Sequence, residues 1–464
     1  MSAPLPRLWE DTVAESPSAV ALVEASTGRA WTRAELAAGA AQWAVAHARP
    51  AAGSPLAGRR VAMSVPNGAE WLHVFLGLLC AGAVPAPIDP GEPEESRISA
   101  ARAIGARWIW HAGRLHSLGP ASPAGRRAPS ECLVKMTSGS TGAPRGLSFS
   151  HAQMEADGRQ VCRTMGIGPG DASLATIPLG YSYGLGNLVV PLLLQGSRVV
   201  CASSALPHAI ASDAARWSPT VFPSVPAVLR ALVASDVARE SLASVRLVVS
   251  AGSPLAPETG RAFAAKFGKR IHSFYGASET GGIAFDRSGD ATLSGRGVGT
   301  PLLGVRIRFG AGGRFVVSSP AVMGRGRFAP ADRAALNEHG ELVLGGRTDR
   351  VVKVAGRRLG LAEIEAAIRS LPGVRDAFAH MSAAPGAVLS AAVCADCAGT
   401  EIRRGLRSRL ASWKIPSRIL VLAEFPATPR GKADAGRLRQ LLAAPRTATS
   451  ISTLSAARQM SASR

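Results

Sequence analysis

The chain has 464 residues, 47% of them hydrophobic, and a formal net charge of +21; this is too long for one ordinary hydrophobic core, so two or more domains are expected. The charge alone would suit a nucleic-acid binder, but only six residues are lysine, the arginines are scattered without a long basic run, and aromatics make up 5%, too few for base-stacking platforms. The balance therefore reads as an arginine-rich composition, with no nucleic-acid partner expected.

In chain order, the spacing of apolar residues predicts a helix over 32–49, a strand over 60–65 closed by Pro66-Asn67-Gly68, a buried helix over 71–82, and short strands over 83–88 and 107–110. The longest apolar run, 71–84, is shorter than the roughly 20 residues that cross a bilayer, so no membrane span is expected. The segment from Met1 to Pro17 has no basic start leading into an apolar stretch, so no secretory signal is read and a cytoplasmic protein is expected. A strand over 131–136 leads into a Gly/Ser/Thr segment, followed by an apolar stretch over 147–150 and a helix from His151. Strands over 172–177, 198–201, 220–222, 245–250 and 270–275 then alternate with helices over 184–194, 226–233 and 257–267. Such alternation predicts an α/β fold with a parallel or mixed sheet covered on both faces.

From about residue 297 glycine and arginine become dense and short β segments take over, at 305–309, 314–317 and 341–344. A small α+β unit follows, with a strand over 351–354, a helix over 362–370, strands over 374–380 and 387–393, a helix over 400–412 and a strand over 418–422. The stretch 443–464 is rich in Ser, Thr, Ala and Arg without periodicity, and a disordered tail is expected there. The expected organisation is a core domain over 1–348, a small domain over 349–442 and the tail. Cys80, Cys132, Cys162, Cys201, Cys394 and Cys397 are spread out and suit free thiols. Cys394-Ala395-Asp396-Cys397 is a lone C-x-x-C without the second pair a zinc site needs.

Five segments look overspecified for folding alone. Thr137-Ser138-Gly139-Ser140-Thr141-Gly142-Ala143-Pro144-Arg145-Gly146 packs hydroxyls, glycines and one cation after a strand. Glycines permit a tight turn, and its inward N–H groups make a concave anion site. Its spacing differs from the G-x-x-x-x-G-K-[ST] loop, and by itself it also fits a plain surface loop. Tyr275-Gly276-Ala277-Ser278-Glu279 stands at a strand's C-terminal end, where open α/β sheets bind ligands; Tyr275 can stack on a base and Glu279 can offer oxygen to Mg2+. Ser250-Ala251-Gly252-Ser253 is a second small-residue turn at a strand end. Gly346-Arg347-Thr348-Asp349 lies at the domain boundary, and Pro426-Ala427-Thr428-Pro429-Arg430-Gly431-Lys432 presents one of the few lysines on a constrained loop.

In this order the motifs resemble the adenylate-forming superfamily of acyl-CoA synthetases, adenylation domains and luciferases. Thr137 to Gly146 is similar to its phosphate loop, with Arg145 where lysine is usual; Tyr275 to Glu279, Gly346 to Asp349 and Pro426 to Lys432 are similar to three further family motifs. The resemblance covers residues 8–440 or so. It implies a large core domain with a β-rich subdomain and a small mobile α+β domain. It also implies that a carboxylate attacks the α-phosphorus of ATP, forming an acyl-adenylate that is passed to a thiol.

Thr137, Ser138, Gly139, Ser140, Thr141, Gly142 and Arg145 would then cradle phosphates, and Glu279 would hold Mg2+. Ala251, Gly252, Ser253, Tyr275, Gly276, Ala277 and Ser278 would frame the adenine; Asp332 and Arg347 would hold the ribose. Lys432 would be catalytic, Asp349 the hinge, and Gly356 and Arg358 would line the path of the thiol. Tyr181, Tyr183, Gly184, Gly281 and Gly282 would form the acyl pocket, the glycines leaving room for an elongated fatty or aryl group.

Two departures are notable: Pro330-Ala331-Asp332 replaces the family's T-G-D, and Tyr181 replaces the usual histidine. The segment from Tyr183 to Val190 lacks the aspartate with which amino-acid-activating members grip an ammonium. A plain carboxylic acid is therefore favoured, with CoA as acceptor. The alternative is loading of an acyl carrier protein acting in trans, since no carrier segment is read after Leu441.

Overall fold

The computed structural model describes residues 4–47, 56–92, 94–119, 130–138, 144–347, 351–354, 357–381, 388–410, 412–428 and 431–444. Two compact units make up the chain, Met1–Thr348 and Asp349–Arg464. Among the described residues no helix is long and apolar enough to cross a membrane.

The first unit is built on a nine-stranded sheet. Six central strands run parallel: Ile271–Ala277, Leu247–Ser250, Val221–Ser224, Ala172–Ala175, Arg198–Cys201 and Val20–Glu24. Antiparallel strands close both edges, Gly281–Phe285 and Thr300–Pro301 at one and Arg29–Thr32 at the other. The central strands are near-continuous apolar runs because helices cover both faces. A four-stranded sheet carries Arg60–Ser64 at its centre. The helix Ala69–Cys80 is buried almost all round, with Trp71 stacked on Phe75. Such a helix can exist only inside a core. Burying one such side chain contributes roughly 1.5–3 kcal/mol.

Local signals set several boundaries. The helix His151–Met165 begins with a capping box in which Ser150 and Gln153 satisfy each other's backbone N–H groups, and ends on left-handed Gly166. The apolar segment expected as one helix over 184–194 is divided: a short helix Ser182–Gly184, a π turn Leu185–Val189 and a helix Val190–Gln195. Pro191 has no N–H to continue an α ladder through Asn187, and the wider turn precedes it. The segment Gly281–Phe285, glycine-led and unassigned from sequence, is a strand because it finds a partner edge in Ile271–Ala277.

In the second unit, the strand Leu389–Ala395 is buried throughout between antiparallel Val374–Met381 and parallel Arg418–Leu422. Leu361–Arg369 and Gly399–Arg407 contribute Ile364, Ile368, Ile402 and Leu406 to its core. The helix Ala435–Ala443 forms a separate cluster through Leu438 and Leu442.

Candidate active site

The phosphate-loop motif sits on a β-hairpin. Strand Glu131–Ser138 pairs with Pro144–Ser150 in a register that sets Thr137 opposite Arg145 and Ser138 opposite Pro144. Its tip, with Gly139, Ser140, Thr141 and Gly142, lies outside the described residues. Arg145 is exposed.

The C-terminal edge of the main sheet supplies the next group. Ser224, Ser250 and Ser273 stand in register on three adjacent parallel strands. The hydroxyls of Ser224 and Ser250 are buried with no protein hydrogen-bond partner among the described residues. Buried polar groups are ordinarily paired, and these two hydroxyls are exceptions at the C-terminal end of the sheet. Ala251 follows, its N–H donated to Ser224 O at 3.2 Å. Gly252 has φ of +87°, a turn that a side chain would strain, and Ser253 is exposed.

Strand Ile271–Ala277 ends in the turn that carries Glu279. The turn is held by Thr280, whose Oγ1 accepts from Ala277 N–H, and by Met323 N–H donated to Glu279 O. Ser182 donates to Ser278 Oγ at 3.1 Å, joining this turn to the segment that bears Tyr181 and Tyr183. A side chain at Gly276 would meet Gly281 O, so that glycine lets the hairpin close.

Tyr275 OH donates to Asp332 Oδ2 at 3.0 Å. Asp332 opens the strand Asp332–Leu336 and pairs in register with Arg347 at the end of Leu342–Arg347. Residues expected to hold adenine and ribose thus come together from three separate segments. A divalent cation here would take one carboxylate from Glu279 and its remaining oxygens from a nucleotide. That fits Mg2+, which is commonly bound by one or two carboxylates plus phosphates, and among the described residues no cluster of three or more acidic or metal-ligating side chains competes for it.

The tyrosines and glycines expected around the acyl group are divided between two places. Tyr181 hydrogen-bonds to the Asp89 carboxylate and lines a cavity of about 240 Å3 with Asn67, Trp71, Thr176 and Gly180. Tyr183 turns the other way, stacking on Phe274 with ring centroids 5.8 Å apart and donating to Val249 O. Burial pushes the Tyr183 phenol well above its ordinary value.

The glycines admit the protein's own atoms. A Cβ at Gly184 would lie 2.0 Å from Pro178 O, at Gly281 2.2 Å from Asp157 Oδ1, and at Gly282 2.6 Å from Leu302 Cδ2.

Asp157 was not among the sequence candidates. It lies on the helix His151–Met165 and accepts from Gly282 N–H at 3.0 Å. Burial pushes its carboxyl up, opposed by the positive charge of Lys135 on the phosphate-hairpin strand. The same burial pushes the Lys135 ammonium down, opposed by Asp157. The one available signal was a lysine inside the apolar strand Cys132-Leu133-Val134-Lys135-Met136.

In the second unit, Lys432 is exposed at the end of a tight loop in which Thr428 N–H donates to Lys432 O at 2.8 Å and Gly431 has φ of +69°. Arg358 lies on the strand Arg357–Gly360, paired in register with Lys353. Asp349 and Gly356 fall outside the described residues.

Residues 9–128 and 115–323 match the family described as AMP-binding enzyme, and residues 363–432 match its C-terminal domain. The sulfoacetate–CoA ligase of Cupriavidus necator is 27% identical over 91% of this chain and 94% of that protein. The benzoate–CoA ligase of Thauera aromatica is 27% identical over 68% of this chain and 66% of its own length. In fold, the ATP-bound MatB structure from Rhodopseudomonas palustris superposes with a TM-score of 0.80 at 22% identity, covering 95% of this chain and 99% of that one. With the motifs in family order and the family match spanning most of the chain, this protein belongs to the AMP-binding family of adenylate-forming enzymes.

Proposed function

We propose that the chain is an acid–thiol ligase. A substrate carboxylate oxygen attacks the α-phosphorus of ATP, the bond to the β-phosphate oxygen breaks, and pyrophosphate leaves. The CoA thiol sulfur, its proton lost, then attacks the acyl carbon of the adenylate and AMP leaves. Both named relatives are CoA ligases. The observation that carries the reading is the hydrogen bond from Tyr275 to Asp332, which stands in strand register with Arg347, three residues assigned to one nucleotide.

Charge crowds at the phosphates in the first step, so catalysis there is mainly positioning and charge stabilisation. Thr137, Ser138, Arg145 and the loop they flank are assigned to the β- and γ-phosphates. Glu279 is assigned to Mg2+, which when bound offsets phosphate charge. Lys432 is assigned to the carboxylate and α-phosphate, where a compact ammonium on a flexible stem suits a moving charge. Asp349, Gly356 and Arg358 are assigned to the thioester step, with domain rotation between the two reactions.

The acid is a plain one rather than an α-amino acid, because residues 183–190 hold no carboxylate for an ammonium. Pyrophosphate exchange with fatty, aryl and amino acids, followed by thioester assay with CoA, tests this. Exchange stimulated by amino acids alone would overturn the substrate class. K432A should abolish exchange yet still form thioester from a preformed acyl-adenylate, and equal loss of both steps would refute the two-state assignment.

A further inference from the structure

The short strands Arg306–Phe309, Phe315–Ser318 and Arg327–Phe328 form a three-stranded antiparallel sheet in the first unit. Its register sets Arg308 opposite Val316, Arg306 opposite Ser318, and Ser318 opposite Arg327. Side chains alternate between faces along a strand, so Ile307, Val317 and Phe328 turn inward to one apolar cluster. The other face carries Arg306, Arg308 and Arg327. They are exposed and, with Val316 and Ser318, line a groove of about 590 Å3.

An arginine-rich composition does not by itself produce such a face. Arginines elsewhere are matched with carboxylates, as Arg60 is with Glu131, Arg246 with Asp171 and Arg270 with Asp290. Residues 291–331, in contrast, hold six arginines and no acidic residue. Arg306, Arg308 and Arg327 have no ion-pair partner among the described residues. Like charges held close without counter-charges repel one another, and an anionic partner relieves that repulsion.

The spacing favours a protein as that partner. Two residues along a strand are about 7 Å apart, and two strands across is about 10 Å, so the guanidiniums fan over an area that suits several anionic groups in a row. A helix offers such a row, because acidic side chains one turn apart recur about every 5.4 Å, and guanidinium forks pair with carboxylates bidentately. No aromatic ring lines the groove, so single-stranded nucleic acid finds no stacking surface there. The face also adjoins the activation site. Residues 319–326, which join the second and third strands, reach the Glu279 turn, where Met323 N–H donates to Glu279 O at 2.9 Å.

Resting on the ligase reading above, we propose that this arginine face docks a small acidic, thiol-bearing carrier protein that serves as an acyl acceptor beside CoA. The carrier lays a carboxylate-bearing helix along Arg306, Arg308 and Arg327. Its thiol, the proton lost, attacks the acyl carbon of the adenylate. The carbon–sulfur bond forms, the carbon–oxygen bond to the phosphate breaks, and AMP leaves.

The test compares a purified acidic holo acyl carrier protein with CoA as acceptors for the whole chain, using the acid that best supports pyrophosphate exchange. R306A/R308A/R327A should lower kcat/KM for the carrier by roughly 10- to 100-fold, chiefly through KM, and leave exchange and CoA thioester formation unchanged. The control R102A/R114A/R230A removes the same charge from exposed arginines outside this sheet and should lower carrier loading less than 3-fold or so. In the wild type, added salt should weaken carrier loading and spare the CoA reaction, a readout that needs no variant.

Equal losses in the two triple variants would reduce the effect to overall charge and overturn the docking surface. So would a wild type that forms the CoA thioester but never loads the carrier, with the ligase assignment left intact. Exchange with no acid would overturn both. A single-stranded oligonucleotide whose binding is lost in R306A/R308A/R327A while carrier loading is unaffected would give the face to nucleic acid instead.

Discussion

Tyr275 and Asp332, 57 residues apart, share a 3.0 Å hydrogen bond from phenol to carboxylate. That contact ties the end of the main sheet to the β-rich subdomain, and it orients both groups before any nucleotide arrives. Preorganisation of this kind spares a binding site the cost of ordering its own side chains.

D332A should raise KM for ATP by roughly 10- to 100-fold, the range of a lost charged hydrogen bond. Y275F keeps the ring and removes only the donor, so its effect should be several-fold smaller. A double-mutant cycle on ATP binding reads the coupling, expected at about 0.5–3 kcal/mol for groups in direct contact. Strictly additive effects would show that the hydrogen bond does not organise the site.

G184A is expected to be costly out of proportion to one methyl group. The new Cβ would fall 2.0 Å from a backbone carbonyl, that of Pro178, which yields less easily than a side chain. Overpacking of this sort destabilises by about 1–3 kcal/mol. Chemical denaturation should show the loss, and the displaced turn should also disturb Tyr181 and Tyr183. A wild-type midpoint would mean that the 178–184 segment relaxes freely.

Glu341 titrates below the ordinary glutamate value of 4.5, first because Arg296 hydrogen-bonds it, against a burial effect of opposite sign, with Asn337 assisting. A depressed carboxyl pKa contributes stability above the unfolded value and loses it as pH falls through the folded one. E341Q should therefore melt below wild type at neutral pH, with the gap closing as pH drops beneath 4.5. A gap that is constant into acid would assign the effect to packing instead. The pair fastens the segment after Ser294 to the hairpin that carries Asp332 and Arg347, so ATP affinity should weaken together with stability.

Burial pushes the thiols of Cys162 and Cys201 up to about 12, leaving on the order of one thiolate in 10,000 at pH 8. None of the six cysteines is in a disulfide, and Cys80 is exposed. Iodoacetamide on the native protein, read by peptide mass mapping, should label Cys80 while sparing Cys162 and Cys201 until denaturant is added. Early labelling of either buried thiol would contradict their placement in the core.

Much of the architecture was written locally. The helix Pro257–Phe267 begins with proline in its first turn and ends before Gly268, whose φ is +66°, and both signals are properties of the residues themselves. The order of the phosphate loop, the Tyr275–Glu279 segment, the Gly346–Asp349 segment and Lys432 likewise needs no coordinates to be read as one family's.

What the sequence could not determine is what fills the space beside a residue. Gly281–Phe285 becomes a strand only because a partner edge exists, since β pairing is decided across the sheet and not along the chain. Asp157 meets Gly282 across 125 positions, with no local pattern to announce it. Glycine declares that a side chain is missing; only the tertiary neighbours decide whether a ligand or the protein itself takes the room. At Gly184, Gly281 and Gly282 those neighbours are Pro178, Asp157 and Leu302, so there it is the protein itself that takes the room.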